Sequence, residues 1–332
     1  MTALELLASF VLIIGGAIGF TNAVEWLGHR MNLGEGAVGA LLAAVGTALP
    51  ESTIPIVALV RGGGEEATEV AIGAIIGAPF LLGTLAMLLV VGSAHVFRNR
   101  REQGAEVVGD ERAVRRDLSW FVALIPVAIV LGAIEAPDAV RYAGAAALVL
   151  AYGAYVRRTL KKGGDADQGE ELAPLYFDTS RGDPPNTGQM VAQFVVSLGA
   201  IILGAELFVG AVESVAEAAG VSTLVLALVL APLATEMPEK ANSVLWVRRG
   251  KDALAMGNIT GAMTFQATIP VALGLVFTDW DLDVHALTAA VLGLLGGLLA
   301  RWAIPRRHVG LLPVAAWGAM FTGFVVYAGI TG

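Results

Sequence analysis

Apolar residues run along the chain in long blocks separated by short polar stretches. A helix that crosses a bilayer needs about 20 predominantly apolar residues. Ten blocks meet or approach that length: 3–24, 36–60, 68–96, 118–134, 138–157, 190–212, 221–247, 252–278, 284–302 and 309–331. They predict an all-α integral membrane protein of ten transmembrane helices. Residues 1–24 carry Glu5 and no basic residue ahead of the apolar run, so they read as a retained first span.

Charge in the connections sets an orientation. The connections after odd-numbered spans hold most of the 21 lysines and arginines: Arg30, the arginines of 98–116, those of 157–181, the Arg248–Lys251 group, and Arg301, Arg306 and Arg307. The opposite side holds Arg61 and Arg141 among acids such as Asp279, Asp281 and Asp283. Basic connections stay cytoplasmic. The chain is therefore expected in the cell membrane with both termini extracellular or periplasmic. Residues 158–188, with KKGGDADQGEE and RGDPPNTG, read as a flexible cytoplasmic linker between a first unit, 1–157, and a second, 189–332. That loop is too short to hold a folded domain of its own.

A shift of 188 residues lays the two units on one another. Gly16, Ala17, Phe20, Ala23, Val24 and Glu25 fall on Gly204, Ala205, Phe208, Ala211, Val212 and Glu213. Farther on, Leu42, Ala43, Thr47, Pro50 and Glu51 fall on Leu230, Ala231, Thr235, Pro238 and Glu239. Five spans per unit is odd, so the second copy enters the membrane upside down. Two inverted five-helix repeats are an architecture of secondary transporters, whose sites lie at mid-membrane where interrupted helices meet.

Composition narrows the chemistry. Of 332 residues 56% are hydrophobic and 15% charged, against about 25% charged in soluble domains; mean hydropathy is +0.72. There is no cysteine, which removes disulfides, thiolate metal sites and cysteine nucleophiles. The net charge of −8 says little, because placement matters more than the sum in a membrane protein. The arginine run 98–116 reads as a topology anchor that can touch anionic lipid. Expected partners are transported ions and membrane lipids, with no nucleic acid and no cofactor; a monomer would suffice, though the oligomeric state stays open.

The paired T-x-x-P-E element carries the site. Pro50 and Pro238 each remove a backbone hydrogen bond and are expected to kink or unwind their helices. Freed carbonyls, a threonine hydroxyl and a carboxylate from each unit would form an oxygen cage of the kind hard cations such as Ca²⁺ favour. Two intramembrane carboxylates at matched positions beside a proline are costly and point to function rather than helix adhesion. An intramembrane hydrolase built on the same carboxylates is the rival from another class, but the threonines and the inverted repeat have no use in it. A cation sensor that cannot transport is a further rival.

GTALPE (46–51) followed by IGAIIGAPF (72–80), and ATEMPE (234–239) followed by MGNITGAMTFQ (256–266), resemble the paired repeats of the calcium/cation antiporter superfamily, in a prokaryotic-type ten-span form. That superfamily includes sodium/calcium and proton/calcium exchangers, which are not enzymes. The resemblance covers both units, with its two motifs at 44–80 and 231–266. It implies that Glu51 and Glu239 are the central calcium-binding carboxylates. Thr47 and Thr235 would add oxygens, and Asn258 would be the ligand of the second motif. It also implies alternating access, the first two helices of each unit moving against the rest.

The chain departs from the family pattern. Ala48 and Glu236 stand where the first motif has serine, Ala74 where the second has a polar ligand, and Ala78 and Ala262 where a later serine is found. Four of these positions, Ala48, Ala74, Ala78 and Ala262, thus carry no side-chain oxygen, which disfavours sodium sites and favours protons as the coupling ion. Glu236 lies three residues from Glu239 on one helical face and suits proton coupling or cation ligation. Gln266, in TFQ, together with Gly46 and Ala48, is expected to support the ligands from behind. Lys240 either pairs with Glu236 at i,i+4, snorkels along its helix, or sits in the site as a tethered cation. Asn22 and Glu206 are expected along the cation path.

Overall fold

The structure is a computed structural model that describes residues 2–30, 51–61, 64–162, 173–178, 185–306 and 309–332. Among the described residues the secondary structure is helical, with no strand. The helices are α1 (Thr2–Arg30), α2 (51–61), α3 (Gly64–Leu81), α4 (Met87–Val96), α5 (Glu111–Ala133), α6 (Asp138–Lys162), α7 (Thr187–Ala219), α8 (Thr223–Arg248), α9 (Asp252–Gln266), α10 (Ile269–Phe277), α11 (Val284–Ala303) and α12 (Leu311–Thr331). Eight helical stretches, with α3–α4 and α9–α10 each counted once, are long and apolar enough to cross a membrane. Most of the expected second span, 36–60, lies outside the described residues. The seventh forms as α8, but only its Thr223–Glu236 part is uniformly apolar.

Local chemistry sets the helix ends. Asp110 accepts from the Arg112 and Ala113 amides at the start of α5 (2.9 and 3.1 Å). Asn186 and Gln189 form a reciprocal capping box at the start of α7, and Gly220 closes that helix at φ 65°, a conformation glycine adopts without penalty. Asp283 caps α11 through the Ala286 amide at 2.7 Å.

Glycines set the closest helix contacts. A Cβ on Gly16 of α1 would lie 2.8 Å from Ile201 Cγ1, and one on Gly204 of α7 would lie 2.8 Å from Ile13 Cγ1. Ile13 and Ile201 are themselves 188 residues apart, so each contact repeats with the units exchanged. The same holds for the surrounding packing. Phe20 and Val24 pack with Ile201, Phe194 and Leu198, while Phe208 and Val212 pack with Ile13, Leu6 and Phe10. Small residues let backbones approach in this way where no water drives helices together. Gly73 of α3 lies against α8, where a Cβ would stand 3.0 Å from the Leu224 carbonyl oxygen.

Two further helices are interrupted. A five-residue π turn, Leu82–Ala86, joins α3 to α4. α9 ends at Gln266 and α10 restarts at Ile269, with Pro270 in its first turn. Pro270 has no N–H, so the Gln266 carbonyl loses its helical donor. With Gly73 and Gly77 set on Gly257 and Gly261, both interruptions fall at matched positions, and Thr84 and Thr268 coincide. Each threonine returns its hydroxyl to the carbonyl four residues earlier, Phe80 at 2.6 Å and Thr264 at 2.9 Å.

Three expectations change. α8 runs unbroken from Thr223 to Arg248 through Pro232 and Pro238, so the helix is not unwound at Pro238: a proline removes one bond, here to the Ala234 carbonyl, and the rest of the ladder continues. Pro50 lies outside the described residues. The linker is not uniformly flexible, because residues 173–178 pack across α1 and α7. Leu175 is buried against Ala23 and Met190, the Ala173 carbonyl accepts from Asn22 Nδ2 (3.1 Å) and Trp26 Nε1 (2.9 Å), and the Phe177 amide donates to Gln193 Oε1 at 2.9 Å. Asn22 is thereby committed: its Oδ1 also accepts from Gln193 Nε2 at 2.9 Å. Its side chain is engaged by this strap. The Glu206 backbone carbonyl accepts from Arg61 Nη1 of α2 at 3.5 Å.

Candidate functional site

Glu51 opens the described part of α2 and is buried, as are Ser52 and Thr53 after it. Gln266, at the last turn of α9 and equally buried, donates from Nε2 to Glu51 Oε2. The interruption between α9 and α10 thus brings an amide from one unit onto the carboxylate of the other. This pairing joins two residues the sequence singled out separately.

One turn of α8 presents the second group. Thr235 is buried and donates its hydroxyl to the Ala231 carbonyl at 3.2 Å, which leaves the oxygen able to accept or coordinate. Glu236 is fully buried, Lys240 is 3% exposed, and Lys240 Nζ stands 2.9 Å from Glu236 Oε2. The i,i+4 pairing is therefore the arrangement observed, and Lys240 does not snorkel to solvent. Ser243, one turn on, accepts from Asn258 Nδ2 of α9 at 3.2 Å, so Asn258 is fastened to α8. Glu239 lies in α8, but its side chain is outside the described residues, as are Gly46, Thr47 and Ala48 altogether.

Two buried polar groups escaped sequence reasoning. Asp117 of α5 is buried. Its carboxylate accepts from Arg116 Nε at 2.9 Å and Thr260 Oγ1 at 3.1 Å, and its backbone carbonyl accepts from Thr264 Oγ1 at 3.1 Å. It fastens the face of α9 carrying Thr260 and Thr264. It lies one residue outside the expected span 118–134. Arg101 belongs to the arginine run 98–116, expected as a topology anchor that can touch anionic lipid. Instead its side chain and that of Asp252 are fully buried in a 2.5 Å ion pair at the start of α9. Asp252 Oδ2 also accepts from the Val108 amide at 2.8 Å. No sequence signal distinguishes Arg101 from its exposed neighbours, because its partner lies about 150 residues away.

Interrupted helices that gather buried carboxylates, amides and hydroxyls inside an apolar bundle define an integral membrane protein with a polar centre. The profile of the sodium/calcium exchanger protein family matches residues 2–161 and 190–330. The chain belongs to that family, whose members move ions and are not enzymes. It is 23% identical over 280 residues to the putative antiporter CaxA of Alkalimonas amylolytica, covering 84% of this chain and 82% of that protein. Among solved structures it resembles the H⁺/Ca²⁺ exchanger CAX, at TM-score 0.74 and 19% identity over all of this chain and 82% of that one. It also resembles the sodium–calcium exchanger NCX_Mj, at TM-score 0.61 and 21% identity over 98% and 99%. The solved structures establish the fold, and the family match places the chain in the calcium/cation antiporter superfamily.

Proposed function

We propose that the protein exchanges a divalent cation, Ca²⁺ in the first instance, for protons across the cell membrane by alternating access. The observation that carries the reading is the buried Glu51 carboxylate held by Gln266 at the α9 interruption, because an unexplained carboxylate at depth in a membrane bundle marks an ion path. The proposed ligands are Glu51 and Glu239, with oxygens from Thr47, Thr235 and Asn258; Gln266 orients Glu51, and Gly46 and Ala48 are proposed to support the ligands. Glu236 stands beside this set, engaged by Lys240.

The reading includes ten spans in two inverted repeats, 1–157 and 189–332, with both termini outside and 158–188 cytoplasmic. The reciprocal packing of Gly16 on Ile201 and Gly204 on Ile13 supports it, since a contact that repeats with partners exchanged is what a two-fold relation produces. The matched interruptions at Leu82–Ala86 and Ala267–Thr268 support it as well. Protons are favoured as the counter-ion because Ala48, Ala74, Ala78 and Ala262 supply no side-chain oxygen for sodium.

The test is ⁴⁵Ca²⁺ uptake into proteoliposomes, driven by either a proton gradient without Na⁺ or a Na⁺ gradient at fixed pH, with Glu51→Gln as the blank. Uptake on the proton gradient is expected. Uptake on sodium alone would overturn the coupling while leaving the exchanger. Uptake under neither would overturn the reading.

A further inference from the structure

A buried lysine sits beside the proposed carboxylates, and the exchange reading does not use it. On α8, Thr235 and Glu239 share one i,i+4 stripe, while Glu236 and Lys240 share the next. Lysine on a membrane helix ordinarily runs its stem toward water. Here the residue is 3% exposed and its ammonium contacts fully buried Glu236 at 2.9 Å. Glu236 Oε1 is also buried, without a hydrogen-bond partner among the described residues. One turn further on, Ser243 is buried and holds Asn258 of α9. The pair thus lies on α8 between the Thr235 turn and the Asn258 contact, next in sequence to the proposed ligand Glu239.

We propose that Lys240 is a selectivity-determining tethered cation: it occupies Glu236 permanently and withholds that carboxylate from the transported ion. Resting on the site proposed above, this leaves two carboxylate charges, those of Glu51 and Glu239, open to cargo. Two charges match one divalent cation. A third would bind divalent ions too tightly to release and would admit an additional monovalent ion in each cycle. An oxygen cage tunes its affinity by how many charged ligands it presents, so an ammonium on the same helix can set that number without touching the cation. The pair also satisfies a folding constraint, since either charge alone in this place would be uncompensated.

Equilibrium ⁴⁵Ca²⁺ binding to the purified full-length protein tests this with four proteins: wild type, Glu51→Gln, Lys240→Met and the paired Glu236→Gln/Lys240→Met. Lys240→Met, which opens a third carboxylate, is expected to bind Ca²⁺ at least ~10-fold more tightly. The paired variant is expected to return to within about threefold of wild type, the open charge again being two. A merely structural pair would alter thermal stability and leave affinity alone, so a Lys240→Met affinity within threefold of wild type overturns the inference. Loss of binding in a folded paired variant overturns it too, because Glu236 would then be a ligand. If Lys240→Met does not fold, the paired variant alone decides on that criterion. Wild type that binds no better than Glu51→Gln defeats the site itself and this inference with it, whereas the other failures leave the site standing.

Discussion

Arg101→Met is the sharpest probe of how α9 is set in place. Arg101 Nη2 lies 2.5 Å from Asp252 Oδ2, and both side chains are fully buried. The same nitrogen donates to the Glu106 carbonyl at 2.9 Å, but Arg101 Nε and Nη1 and Asp252 Oδ1 have no hydrogen-bond partner among the described residues. Each charge is therefore compensated mainly by the other. Two unit charges at that separation attract by roughly 7 kcal/mol at an effective dielectric constant of about 20, most of which offsets desolvation. Removing one partner strands the other and costs about 3–5 kcal/mol. Asp252→Asn strands the guanidinium instead and falls in the same range. The paired Arg101→Met/Asp252→Asn protein strands no charge, and asparagine can still accept from the Val108 amide. Its cost is expected near ~1 kcal/mol, the value of one ordinary hydrogen bond. The coupling between the two sites is thus several kcal/mol in favour of the pair, read as unfolding free energies in detergent across the four-protein cycle. Additive single-site costs, or a single variant within about 1 kcal/mol of wild type, would refute the claim that a mutually compensated buried pair fixes the start of α9.

Other outcomes follow from the same geometry. Gln266→Leu removes the amide from Glu51 and should slow ⁴⁵Ca²⁺ uptake about 10- to 100-fold, the equivalent of losing a hydrogen bond to a charged group worth roughly 1.5–3 kcal/mol; unchanged uptake would dissociate Gln266 from the site. Gly16→Ala and Gly204→Ala should each destabilise by about 1–3 kcal/mol and by similar amounts, because each new methyl meets the equivalent isoleucine. Clearly unequal costs would argue against the two-fold relation. Gln193→Leu cuts the bonds to the Phe177 amide, Asn22 and the Gly19 carbonyl, so amide exchange in 173–178 should accelerate; unchanged protection would mean Leu175 alone holds the strap.

Membrane insertion and the paired motifs were legible in one dimension. Hydrophobic blocks report whether a helix can bear lipid, a property of the segment itself. The match of Thr47, Pro50 and Glu51 to Thr235, Pro238 and Glu239 needs no folding to be seen. The Lys240–Glu236 contact was also within reach, since i,i+4 geometry is local to one helix. Proline was the misleading signal. Pro238 sits within a continuous α8 while Pro270 accompanies the break after α9: each removes one donor, and the surrounding packing decides whether the helix carries on.

Arg101 and Asp117 show the limit of the sequence most plainly. In sequence they are an ordinary basic-run residue and a charge at a span edge. Their burial exists only because α9, more than a hundred residues later, brings Asp252 to one and Thr260 and Thr264 to the other. The sequence alone marked which segments are long and apolar enough to enter a membrane and which carboxylates share a motif, because both are written in local composition and internal likeness. Only the tertiary structure decided which charges lose water and which partner compensates each, because desolvation depends on atoms supplied by distant parts of the chain.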